Sequence, residues 1–162
     1  MTVDRTGHAN ITLSYITTPV SSSERHLTCK HGETECQGNI QQLCFKKYYP
    51  VQRDWFAFVN CQNFNSKIIG TDAGIESCAK ALRKDPEPVE KCARSSEGRE
   101  LFLENALATR KAGVETSCTI IINGRQRCVI DGGKWRDCES LEGHDASAFV
   151  KAIDEEYQRL NG

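Results

Sequence analysis

The chain of 162 residues has room for one ordinary domain and not comfortably for two. Its 21 Lys and Arg balance 22 Asp and Glu, so no excess positive field is present to hold a nucleic acid or an anionic membrane surface. No apolar run reaches the roughly eighteen residues of a membrane span, and the opening "MTVDRTGHANIT" lacks the basic and apolar regions of a secretory signal.

From the N-terminus, "NITLSYI" (Asn10 to Ile16) reads as a strand: β-branched and aromatic residues dominate it, and Pro19 to Ser23 ends it. From Cys36 to Tyr49 the spacing of Ile40, Leu43, Cys44 and Tyr48 predicts a helix, with Pro50 after its end. Asp54 is the expected N-cap of a short helix carrying Trp55, Phe56, Phe58 and Val59.

A further helix is predicted over Asp72 to Lys84, broken by "DPEPVE", and another over Gly98 to Ala112 with Gly113 as its C-terminal cap. "CTIIINGRQRCVI" then changes the texture: two β-branched runs around Asn-Gly predict a hairpin. Asp145 to Leu160 closes the chain as an amphipathic helix capped at both ends.

Nine cysteines point to an oxidising compartment in which they pair as disulfides, with at least one thiol left over. Asn10-Ile11-Thr12 is a sequon, making Asn10 the candidate glycosylation site. Cys29 to Cys44, "CKHGETECQGNIQQLC", holds three of the cysteines with a histidine and two glycines, and three readings compete for it. One is a disulfide-stapled loop entering a helix, with His31 exposed and Gly32 turning at positive φ. The second is zinc held by Cys29, His31, Cys36 and Cys44, against which stands the lack of paired short spacings. The third is a redox centre, but no two cysteines stand as Cys-x-x-Cys, so no dithiol active site is visible.

The pattern C-x-H-G-x3-C-x2-N-x4-C, met as Cys29, His31, Gly32, Cys36, Asn39 and Cys44, resembles the signature of the gamma-interferon-inducible lysosomal thiol reductases (GILT). The resemblance extends to "WFAFVNC", the cysteines near Cys78 and Cys92, the "INGR" hairpin and the last helix. It implies an α/β fold with a thioredoxin-like sheet and a mostly helical, disulfide-braced insertion over about residues 29–113, in a single domain spanning 1–162. The implied activity is reduction of disulfide-containing protein substrates in the secretory pathway, extracellularly or in a lysosomal or vacuolar lumen. No cofactor is implied, and the chain is read as a monomer.

The family's catalytic Cys-x-x-Cys precedes the strand that "NITLSYI" resembles, where only "MTVDRTGHA" stands. The catalytic cysteines therefore map to no position. The chain is expected to lack the first βα unit of the fold and to be a truncated or redox-inactive version of such a reductase. The alternative is a non-enzymatic, secreted disulfide scaffold that binds a partner.

The resemblance places Cys118 where thioredoxin-like proteins carry a cis-proline. A cis bond before any other residue costs about 2.5–4 kcal/mol, so Ser117-Cys118 is expected to be trans. If Asn123-Gly124 is a two-residue loop, Thr119 faces Cys128 and Cys118 lies on the other face of the sheet; a three-residue loop restores the face but leaves the two diagonal, beyond disulfide reach, so on either count Cys118 is the candidate free or substrate-reactive thiol. Cys128 with Cys138, flanking "VIDGGKWRD", is the expected staple. Trp55, Phe56, Phe58 and Trp135 read as core, and "RKDPEPVEK" as a solvated, mobile connection. His26 and His144 show no partner pattern.

Overall fold

The computed structural model describes residues 9–18, 27–138 and 141–162. The sequence readings at Pro19 to Ser23 and His26 fall outside them. Two compact units divide the chain: Thr12–Ala112, and Gly113–Gly162 with the described residues up to Ile11. Among the described residues the fold is mixed and mostly helical, with one three-stranded antiparallel sheet and four disulfides.

The described residues of the first unit form five α-helices: α1 (Glu33–Tyr48), α2 (Gln52–Phe64), α3 (Asp72–Ala81), α4 (Glu87–Arg94) and α5 (Ser96–Lys111). Helix α1 carries Glu33 and Glu35 in its first turn and Lys46 and Lys47 in its last, each complementing the nearer end of the helix dipole. It packs against α2, α4 and α5. Phe45 of α1 stacks on Phe58 of α2, ring centroids 4.0 Å apart, and both are fully buried. Burying each such ring contributes roughly 1.5–3 kcal/mol. The Cys44–Cys92 disulfide fastens α1 to α4, and Cys61–Cys78 fastens α2 to α3.

Helix α2 begins before Asp54, with Val51 at its N-cap and no side-chain cap. Asp54 sits inside the first turn, paired with Lys84 at 2.6 Å. The larger departure is "DPEPVEK", which starts α4 instead of forming a mobile connection. Proline is compatible with a helix's first turn, because the N–H it lacks would have no intrahelical partner there. Asp85 Oδ1 accepts the Glu87 N–H at 3.0 Å, and Val89 and Cys92 face the core. Trp55 and Phe58 are buried as expected, whereas Phe56 is half-buried.

Residues 10–16 form no strand. They run extended, and a side chain replaces the missing ladder: Asn105 of α5 accepts the Tyr15 N–H at 2.9 Å and donates to Leu13 O at 2.8 Å. Tyr15 Oη donates to Gln42 at 2.6 Å, opening a relay through Gln62 and Gln41 to Thr71 O. Gln41, Gln42 and Gln62 are all buried, and each link satisfies a group that would otherwise cost free energy in the core.

The second unit is the meander β1 (Thr119–Ile122), β2 (Arg125–Asp131) and β3 (Lys134–Arg136), followed by α6 (Ala146–Asn161). The strand β3 had no sequence expectation. It forms because Gly132-Gly133 makes a second two-residue loop, with both glycines at positive φ, between Asp131 and Lys134. Asn123-Gly124 makes the first, pairing Ile122 with Arg125.

The expected register does not continue past Ile121. A bulge leaves Arg127 unopposed, so Thr119 pairs with Val129 and Ile120 with Cys128. The unopposed residue is the one that reaches α6: Arg127 pairs with the Glu156 carboxylate, to which Asn123 Nδ2 also donates at 3.3 Å. Trp135 of β3 is half-buried and stacks on Phe149 of α6 at 5.5 Å. Asp145 caps α6 by accepting the Ser147 and Ala148 N–H groups at 2.9 and 3.1 Å.

Candidate functional site

The signature residues build the start of α1. Gly32 is its N-cap at φ 87°, a conformation open chiefly to glycine. Glu35, three residues on, reaches back to the His31 N–H at 2.6 Å and to His31 Nδ1 at 2.9 Å. This is the logic of a capping box moved one residue outward, with the imidazole added. The His31 side chain is 75% exposed, and its recorded partner is a carboxylate, not a thiol.

Cys29 and Cys36 are bonded to each other and nearly buried. Asn39 Nδ2 points at Cys29 Sγ at 4.0 Å, so this side chain steadies the staple from the next turn. Cys44 is bonded to Cys92 and fully buried. Zinc is thereby overturned as a reading of Cys29, His31, Cys36 and Cys44, because all three thiolates it needs are consumed in disulfides. Among the described residues no group of three His, Cys, Asp or Glu side chains could hold a metal ion.

The other candidate residues lie in the unit of the sheet. Cys128 is bonded to Cys138. Cys118 is exposed and free, and it alone of the nine cysteines has no disulfide. It extends the β1–β2 ladder by one pair: its N–H donates to Ile130 O at 2.7 Å and its carbonyl accepts from Ile130 N at 2.8 Å.

Two sequence expectations about Cys118 are corrected. The Ser117-Cys118 bond is cis, and the paired hydrogen bonds to Ile130 hold the residue that follows it in register. The register also sets Cys118 opposite Ile130, on the same face as Cys128, because the bulge at Arg127 restores the parity that a plain two-residue hairpin would have reversed. Cys118 and Cys128 are diagonal, and the disulfide forms elsewhere. Ser117 Oγ stands 3.9 Å from Cys118 Sγ, the thiol's own recorded side-chain contact. Asn10 is exposed.

An exposed thiol held at the start of a strand can, as its thiolate, attack a substrate disulfide, forming a mixed disulfide as the substrate S–S bond breaks and its other sulfur leaves as a thiolate. A second thiol would have to resolve that intermediate, and the remaining eight cysteines are paired. Sequence reasoning missed Asn105, Tyr15 and the buried glutamines, whose partners are up to 92 positions away in the chain and leave no local signal.

Comparison with known proteins agrees with the signature. No solved structure matches the chain significantly. The "Gamma-interferon-responsive lysosomal thiol protein" of Arabidopsis thaliana is 30% identical over 84 residues, covering 52% of this chain and 33% of the relative. The chain thus spans about a third of the curated relative it matches. The family profile described as gamma interferon inducible lysosomal thiol reductase matches residues 1–82, which include the whole Cys29 to Cys44 signature. On that match, the chain belongs to the gamma interferon inducible lysosomal thiol reductase (GILT) family.

Proposed function

We propose that the protein acts in disulfide reduction on disulfide-containing protein substrates, in the lumen of a secretory or lysosomal compartment, and that the attacking dithiol is not among the nine cysteines of these residues. Family membership supports the activity, and four disulfides support an oxidising history. The observation that carries the second half is the pairing itself: eight cysteines are bonded and the ninth, Cys118, stands alone. Reduction of one substrate disulfide needs two thiols, one to form the mixed disulfide and one to release it with oxidation of the pair. Cys118 by itself supplies the first step only. The thioredoxin-like arrangement, glycosylation of exposed Asn10 and a monomeric state belong to the same proposal. Among the described residues no helix is long and apolar enough to cross a membrane.

The test is an assay of disulfide reduction on an unfolded, disulfide-bonded protein with the 162-residue chain and a small thiol reductant. The expected result is no turnover above the reductant alone, with at most one substrate captured per chain through Cys118. Turnover abolished by Cys118→Ser alone would overturn the reading.

A second reading has its own observation: every signature cysteine is used to brace α1, as a non-enzymatic binding scaffold would use it. Such a scaffold would bind partners reversibly and equally well after Cys118→Ser.

A further inference from the structure

His144 stacks on the indole of Trp135, ring centroids 5.5 Å apart and planes inclined by 18°. Trp135 also carries Phe149 at 5.5 Å and 19°. One ring on β3 therefore joins the loop before α6 to the second turn of α6 itself. His144 is exposed and directly precedes Asp145, the N-cap of that helix.

We infer that the His144–Trp135 stack is a pH-responsive clamp, in which protonation of the imidazole tightens the hold of the sheet on the N-terminus of α6. An imidazolium over the indole face gains the attraction of a cation for the ring quadrupole, which a neutral imidazole lacks. Histidine is the side chain whose charge changes in the mildly acidic range. The inference is independent of any redox chemistry at Cys118.

The surrounding charges decide the sign. Against the clamp works the positive end of the α6 dipole, which disfavours a cation just before the helix. On β3, Lys134 and Arg136 flank Trp135, with Arg136 4.0 Å from Asp131. In favour stand the carboxylates of Glu142 and Asp145 on either side of His144 in the chain. Glu142 is held below the usual carboxylate range by its bond to Lys151, and Asp145 by its bonds to Ser147 and the Ala148 N–H. Both carboxylates therefore stay ionised into the mildly acidic range.

The measurement is tryptophan fluorescence between pH 7.5 and 5, with amide protection factors for the first turn of α6, in the parent chain, His144→Gln and His144→Phe. Protection factors remove the pH dependence of intrinsic exchange. The expected result is quenching of the indole on acidification and about two- to fivefold greater protection of Ser147 and Ala148, both absent in either variant. His144→Phe keeps a stacked ring without a proton, so it should hold a protection that no longer changes with pH. A parent chain without a pH response overturns the clamp, as does a response that survives in both variants. Far-UV circular dichroism checks that both variants remain folded.

Discussion

The carboxamide of Asn105 stands in for a neighbouring strand beside Tyr15, accepting its N–H at 2.9 Å while donating to the Leu13 carbonyl at 2.8 Å. One side chain thus satisfies, two residues apart, the donor and the acceptor that a β-ladder would have paired. It explains why a segment with strand composition stays extended outside any sheet.

Truncating that side chain should loosen the segment. Asn105→Ala leaves two part-buried backbone groups without their partner, a loss of about 1–3 kcal/mol. Urea unfolding of the variant against the parent measures it, and a difference under about 0.5 kcal/mol would mean that water replaces the carboxamide.

The disulfides should differ in weight by the loops they close. Cys44–Cys92 spans 48 residues, Cys61–Cys78 spans 17 and Cys29–Cys36 spans 7. Chain entropy alone assigns them about 4, 3 and 2.4 kcal/mol. Paired Cys→Ala replacements, compared by unfolding midpoint, should rank in that order. A reversal would show that Asn39 and the α1 terminus give the short staple an importance beyond its loop.

Folded protein should react with one equivalent of a thiol reagent per chain, and Cys118→Ser with none. Two or more equivalents in the native state would mean that one of the four disulfides is open in solution.

The Asp54 carboxyl is held below its ordinary range by Lys84, 2.6 Å away, against a smaller opposing effect of burial. A carboxylate whose pKa is lowered by folding stabilises the fold fully above its unfolded value of about 3.9 and loses that contribution as pH falls through the lowered one. Asp54→Asn should therefore be less stable than the parent by a constant amount from pH 7 to about 5, and the two should converge as pH falls through the lowered value. Parallel curves down to pH 2 would assign the loss to packing.

What could be read locally came from local rules. The Asn-Gly hairpin, the cap of α6 at Asp145, the end of α1 before Pro50 and the glycine at the head of the signature depend on residues within a turn of one another, so composition carries them. The Cys128–Cys138 staple is similarly short. The failures are equally physical. Prolines 86 and 88 read as a break because proline stops a helix that is already running, yet the same residues suit one that is beginning. The β2 bulge had no local signature. It arises where Arg127 leaves the ladder to meet Glu156, 29 positions away.

The sequence by itself determined the family, through six spaced residues, and the absence of a Cys-x-x-Cys, since both are properties of order along the chain. Only the tertiary structure decided which cysteine is left alone. Disulfide partners are chosen by distance in space: six sulfurs pair among themselves in the helical unit, Cys128 pairs with Cys138 in the unit of the sheet, and Cys118 is left exposed and unbonded.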